Sequence, residues 1–327
     1  MSESTLLDRI LTDADPAGTP RDAKPDAAAL MMRDRIMSGK VRQKHARAVG
    51  LRWATAVAGV AVAGVVAFAV FSPQGQAMAG APQPLTFADS GSVEQIMDDA
   101  HVALTETEGP EAPERFVRAA SWGYAIDMTA QESEVVPQLS ILRWEADLSG
   151  RMTIFAGQPY DPDDAVANTQ AEVSSSGEIV SDLIMEPGQF GTPVVDPPGS
   201  SAEDMVAMLT AFGMPNDPTA GEVSRYLSDA VEQWTLTNEQ QGHLLDVLAA
   251  AEGTTALGAT TDRLGRPVAG ISMPSANGAA TEVILISLET GRIVGMETTS
   301  LGGEDDMLPA GAIIAYRLWD VTEEIVR

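Results

Sequence analysis

The sequence predicts an α+β protein: a single transmembrane helix followed by an extracytoplasmic curved antiparallel sheet packed on helices. Three observations predict it. Trp53 to Phe71 is a run of 19 residues without a charge, preceded by Lys40, Arg42, Lys44, Arg47 and Arg52. Beyond it, strand-like stretches come in pairs joined by short turn sequences, which implies antiparallel pairing. Between two groups of such pairs stands a block of amphipathic helical patterns.

The uncharged run comes first. Nineteen helical residues at a 1.5 Å rise span roughly 28 Å, the thickness of a bilayer's hydrocarbon core. The segment is rich in alanine, and its valines with Phe68 and Phe71 carry the insertion energy. Bases close to one end of a span are retained in the cytoplasm, so residues 1–52 are expected inside and the rest outside. A cleaved signal peptide is the competing reading, because Ala77 and Ala79 form a small-x-small pattern with cleavage after Ala79. A 52-residue leader and an apolar run longer than 15 residues argue for an uncleaved anchor. Gly59, Ala63, Gly64 and Ala67 suit packing on a partner helix, although an alanine-rich span that simply inserts is the plainer expectation.

Charge follows the same division. The 327 residues carry a net charge of −27, yet residues 1–52 hold ten Lys/Arg against seven Asp/Glu, and residues 53–327 hold ten against forty. A surface so acidic excludes nucleic acid as a partner of the large part, because phosphate binding needs a basic face. The chain has no cysteine, which removes disulfides, thiolate metal sites, thiol nucleophiles and a zinc-stabilised anti-sigma module. Its three histidines are His45, His101 and His243, and His101 beside an apolar stripe reads as a surface or boundary residue.

The domains expected are therefore a cytoplasmic basic tail at 1–52, the helix at 53–71, a Pro/Gly-rich linker at 72–90 and the extracytoplasmic domain at 91–327. The tail holds two short amphipathic stretches, around Leu6–Leu11 and Asp26–Met37, broken by Pro16, Gly18, Pro20 and Pro25. It cannot bury a core, and reads as a flexible tail or as a docking peptide that folds on a cytoplasmic partner.

In the domain, Ser92 with Gln95 forms the capping-box pattern of a first helix, whose stripe is Val93, Ile96, Met97, Ala100 and Leu104. "SWGYAIDM" alternates with period two. "LSILRWEA" and "RMTIFAG" follow, with "DLSG" as their turn, and "EVSSSGEIV" reads as another pair of short strands. Pro187–Gly199 connects to three helices. Ser201 begins the first, with Met205, Met208, Leu209 and Phe212 apolar and Gly213 as its stop. The second runs from about Ala220 to Gln233. The third is capped by Thr237 with Gln240 and stopped by Gly253. Strands then return in "TTALGATTDRLGRPVAGISMP", in "ATEVILISLETGRIVGMETTSL" and in the closing "AGAIIAYRLWDVTEEIV".

These pieces in this order resemble an actinobacterial family of single-pass membrane proteins of uncharacterised function, often encoded beside extracytoplasmic-function sigma factors. "RWEADLSGR" (143–151), "TTDRLGRPVAGI" (260–271), "SLETGRIVGMET" (287–298) and the closing "PAGAIIAYRLWDV" carry the resemblance together with the single span. It supplies no catalytic residue. More distantly the extracytoplasmic part looks like the LolA/LppX half-barrel, whose curved sheet wraps helices. That resemblance implies a lipid as a ligand.

No Gly-x-Ser-x-Gly elbow, His-Glu-x-x-His helix or phosphate loop is present. Arg151, Arg266 and Arg292 each follow a turn glycine. They are candidates to line an anion cleft, and the plainer expectation is exposed strand arginines. Asp161, Asp163 and Asp164, and Glu304, Asp305 and Asp306, are acid clusters without EF-hand spacing, so no metal site is expected. No catalytic residue, cofactor or cofactor-binding residue is expected either. The function expected is a non-enzymatic membrane-anchored protein with a sensing or regulatory domain linked to sigma-factor signalling. The alternative is a tethered or released lipid- or ligand-carrying domain. The partners expected are the bilayer at 53–71, a cytoplasmic protein at 1–52 and a lipid ligand.

Overall fold

The computed structural model describes residues 84–88, 91–127, 132–157, 173–302, 310–311 and 313–322, with the backbone alone at 123–127 and 132–136. The tail, the expected span at 53–71, the Ala77–Ala79 pattern and both acid clusters lie outside the described residues. Among the described residues no helix is long and apolar enough to cross a membrane.

Helix α1 is Val93–Glu106. Ser92 caps it by accepting from the Gln95 amide at 3.1 Å. Four strands follow, β1 (Phe116–Asp127), β2 (Glu132–Trp144), β3 (Gly150–Gly157) and β4 (Ser175–Met185). Here the expectation of two short strands in "EVSSSGEIV" is corrected. Gly177 takes a φ of +77° but does not reverse the chain, and Ser175 to Met185 run as one strand along β3 with a bulge.

Helices α2 (Ala202–Phe212), α3 (Ala220–Val231) and α4 (Asn238–Ala250) come next. All three begin with complete capping boxes: Ser201 with Asp204, Thr219 with Glu222, and Thr237 with Gln240. Strands β5 (Thr255–Thr261), β6 (Pro267–Pro274), β7 (Ala280–Ser287), β8 (Ile293–Ser300) and β9 (Ile313–Leu318) follow.

The nine strands among the described residues form one open antiparallel sheet in the order β4-β3-β2-β1-β9-β8-β7-β6-β5. Two meanders, β1 to β4 and β5 to β9, join where the first strand meets the last, with Ala120 opposite Leu318 and Trp122 opposite Tyr316. The helices cover one face. There Trp144, Trp234, Leu209, Leu227, Leu244, Leu245, Ile271 and Ile284 are completely or almost completely buried. The other face has its own apolar cluster around Trp122, Leu139, Leu285, Tyr316 and Leu318. Strands buried on both faces lose the clean in-out alternation of a half-exposed sheet. The run Val283–Ser287 is accordingly buried at every position.

The second face is covered in part by the chain's own segments. Residues 84–88, inside the expected linker, lie along β5: Ala88 and Ala259 exchange both backbone hydrogen bonds, at 2.8 and 2.9 Å, and the Thr260 hydroxyl donates to the Thr86 carbonyl at 2.8 Å. The Phe87 ring fills the space above Gly270, where a Cβ would overlap it. Val173 donates to the Arg263 carbonyl at 2.8 Å and belongs to the same apolar cluster.

Candidate functional site

The three turn arginines singled out in the sequence do not converge on a cleft. Arg151 makes a bidentate pair with Asp182 on the neighbouring strand, both contacts at 2.7 Å. Arg266 holds Asp262 of its own turn at 2.8 Å and donates to the carbonyls of Trp319 at 2.7 Å and Val294 at 3.0 Å. Arg292 is buried. It pairs with Asp320 at 2.6 Å and donates to the Leu236 carbonyl at 3.0 Å and to Asn238 Oδ1 at 2.9 Å. Arg266 and Arg292 tie hairpin ends to distant segments, whereas Arg151 bridges two adjacent strands.

His101 lies between α1 and α4, with Nε2 2.9 Å from Asp246 Oδ1, while His243 Nδ1 is 3.5 Å from Asp246 Oδ2. This is the boundary position expected of His101. Among the described residues no three His, Asp or Glu side chains gather as a metal site.

The arginines that do gather are Arg115, Arg118 and Arg143, at the ends of β1 and β2. With Glu114, Phe116, Trp144 and Glu145 they line an open groove of about 580 Å³. The backbone there is pinned: Glu114 and Thr235 exchange hydrogen bonds at 2.8 and 3.0 Å, and the Thr235 hydroxyl donates to the Phe116 carbonyl. Arg115 stands 5.1 Å from the Trp144 ring centroid and 5.2 Å from that of Trp234, and donates to the Val195 carbonyl at 2.7 Å. It anchors the Pro/Gly-rich connection. Arg118 and Arg143 both approach the Phe116 ring, at 4.8 and 4.9 Å from its centroid. Register explains this. Arg143 is the cross-strand partner of Phe116, and Arg118 lies two residues along on the same face.

The sheet extends this basic corner. On the face away from the helices, one cross-strand row reads Phe116, Arg143, Arg151, Ile184, and the next reads Arg118, Ile141, Thr153, Asp182. Arg143, Arg151 and Ile184 are open to solvent. A second groove, of about 420 Å³, lies between residues 107–113, Pro198 and the start of α4.

No family model and no curated protein matches the chain. Among solved structures, a LolA superfamily protein from Nitrosomonas europaea aligns with 71% of this chain and 91% of its own, at 8% identity and a TM-score of 0.19. A DUF1329 family protein from Desulfovibrio piger aligns over the same shares at 11% identity and a TM-score of 0.21. Scores this low carry no functional inference. Among the described residues the chain's own architecture is a large open antiparallel sheet with four helices on one face.

A second feature sits beneath residues 84–88. Arg263, carried over the face by the β5–β6 turn, donates to Glu297 Oε1 at 2.7 Å, with side-chain exposures of 2% and 4%. Its guanidinium is 5.3 Å from the Tyr316 ring centroid, and the Leu85 backbone supplies Glu297 with another hydrogen bond. Burial pushes the Glu297 carboxyl up, against the opposing pull of Arg263. Neither the basic groove nor this pair is visible in the sequence, since the residues that meet are far apart along the chain. The one available signal for the groove was the clustering of bases: Arg115 and Arg118 are the first two after Arg52.

Proposed function

We propose that the chain is a non-enzymatic, membrane-anchored protein whose α+β domain lies outside the cell membrane and senses or regulates. Residues 53–71 hold it in the bilayer, and residues 1–52 contact a cytoplasmic protein, a sigma factor in the version the family resemblance implies. The observation that supports this reading is the seating of residues 84–88. They follow the expected span by only a dozen residues, yet they add to the sheet through Ala88 and Ala259 and reach Glu297 through Leu85. A rearrangement of the second face is thereby felt by the segment that leads to the membrane. In the alternative, a lipid or ligand carrier, the seat is a surface groove, because the space between helices and sheet is filled by Trp144, Trp234 and the leucines around them.

Topology is tested by fusing alkaline phosphatase after Arg327 of the full chain: the proposal expects an active enzyme outside, and a phosphatase that is inactive because it stays in the cytosol overturns it. Coupling is tested with Gly270→Val, which forces Phe87 off the sheet. The expected result is a changed yield of the protein partner recovered through residues 1–52. Recovery of no specific partner by either form overturns the signalling role.

A further inference from the structure

We infer that the seat of residues 84–88 is a strand-accepting site, and that this strap is an intramolecular occupant which an extended partner peptide replaces. The peptide that fits carries an aliphatic residue, an aromatic two positions on and a small residue next, as Leu85, Phe87 and Ala88 do. The inference shares the strap with the proposed function but holds for either membrane topology. Its test reads the seat alone, so the two can fail separately.

The seat holds a strand by its main chain and reads alternate side chains. β5 is the last strand of the sheet order, so one of its edges faces away from β6. On that edge Ala259 exchanges both backbone hydrogen bonds with Ala88, at 2.8 and 2.9 Å, and the Thr260 hydroxyl donates to the Thr86 carbonyl at 2.8 Å. The Glu297 side chain is only 4% exposed, and it accepts a hydrogen bond from the Leu85 backbone. A carboxylate held out of water is a strong acceptor, and a backbone amide is a donor that any residue except proline supplies. Selectivity comes from the hollow above Gly270, which takes the Phe87 ring because no Cβ stands there. Leu85 and Phe87 pack on the apolar cluster of the second face, while Pro84, Thr86 and Ala88 are exposed. Main-chain bonds to a sheet edge with pockets for every second side chain are the means by which sheets recognise extended peptides.

The present occupant is replaceable because it is held at few points. Among the described residues the strap pairs with β5 at Ala259 alone, and its two apolar side chains are half-buried. Segments with so few buried contacts open at a free energy well below that of global unfolding. The strap also leaves part of the edge unused. β5 begins at Thr255, but the chain enters α1 at Val93, five residues after Ala88. A peptide not tied to α1 continues past Ala259 along Leu257 and Thr255 and adds ladder bonds there. Two copies that exchanged their straps would gain none of these bonds, since each strap still leads into an α1. A separate peptide is therefore the occupant the edge favours. An empty seat would open the hollow and the Arg263–Glu297 pair to water, so a strand is favoured there whichever chain supplies it.

The test is fluorescence anisotropy of a labelled synthetic peptide of residues 82–90, titrated with the full chain in neutral detergent. The Phe87→Ala chain, whose own strap no longer fills the hollow, is expected to bind it saturably and to melt closer to the parent once saturated. The parent chain is expected to bind at least about tenfold more weakly, because its tethered strap competes at high effective concentration. Changes made in the peptide leave the protein's fold untouched. Phe87→Ala in the peptide empties the hollow over Gly270. N-methylation at Leu85 removes the donor to Glu297, and N-methylation at Ala88 the donor to the Ala259 carbonyl. Each is expected to weaken binding about tenfold or more. Absence of saturable binding to the Phe87→Ala chain, or altered peptides that bind as well as the original, overturns the strand-accepting site. A parent chain that dimerises where the Phe87→Ala chain does not makes a second copy's strap the occupant, and overturns the assignment to a partner peptide.

Discussion

Arg263 and Glu297 form a hydrogen-bonded ion pair that is almost wholly out of solvent, 2.7 Å apart on the face of the sheet opposite the helices. The arginine comes from a hairpin turn and the glutamate from the middle of β8, 34 residues on. Removing either partner leaves a buried charge without compensation. Arg263→Met alone or Glu297→Gln alone is expected to cost about 3–5 kcal/mol, and the double replacement by Met and Leu to restore most of the loss. Urea unfolding of the four proteins measures this. A double variant as unstable as the singles would contradict it.

Glu282 on β7 faces α3, and its Oε2 is buried without a hydrogen-bond partner. Burial raises its carboxyl above the ordinary value of 4.5, more than Ser224 and Arg225 lower it. The folded state thus holds this proton more tightly than the unfolded chain. Its stabilising share is complete below the ordinary glutamate value and is lost as pH rises through the raised one. Asp229 on α3 is raised by burial in the same sense. Glu282→Gln is expected to melt higher than the parent protein at pH 7, with the gap closing as the pH falls below 4.5. Thermal melts across that range decide it, and a gap independent of pH would refute the account.

Gly291 has a φ of +71° and sits against α1, where a Cβ would collide with the Ala100 carbonyl oxygen. Gly177 has a φ of +77° with nothing within 4 Å of the position a Cβ would take. Gly177→Ala is therefore expected to cost about 1 kcal/mol of backbone strain. Gly291→Ala adds a steric clash and is expected to cost about 3 kcal/mol or more. Equal losses in denaturant unfolding would show that the contact with α1 yields freely.

Thr219 accepts from the Glu222 amide, while the Glu222 carboxylate accepts from the Thr219 amide at 2.9 Å. Thr219→Ala is expected to destabilise the protein by about 1 kcal/mol. Hydrogen exchange should show faster opening confined to the first turn of α3. Unchanged protection there would mean that packing alone holds the helix start.

The local elements were largely legible. Ser201 and Thr237 start helices because a hydroxyl before an apolar stripe supplies the acceptor the first amides lack; Thr219 does the same for α3 and was not singled out in the sequence. Gly213, at φ +116°, stops one because only glycine turns left-handed without strain. The "ETGR" and "RLGR" turns fell where expected for the same reason. The "EVSSSGEIV" stretch misled because a glycine of positive φ serves a bulge as readily as a turn. In the "DLSG" turn the positive φ, 62°, falls on Leu148 rather than on Gly150. Arg151 and Arg292 carried no sign of their carboxylate partners, since Asp182 and Asp320 lie 31 and 28 residues away, and Arg266 none of the Trp319 and Val294 carbonyls it reaches, 53 and 28 residues on.

By itself the sequence determined the α+β class, the four described helices with the capping residues Ser92, Ser201 and Thr237, most of the hairpins and the division between a basic start and an acidic body. These follow from interactions within a few residues, where spacing along the chain equals proximity in space. Tertiary structure decided that β1 lies against β9, that residues 84–88 line the edge of β5, and that Arg118 and Arg143 meet over Phe116. Such contacts depend on strand order and register. Strands apolar on both faces satisfy their periodicity in many pairings, and only the packed sheet selects one.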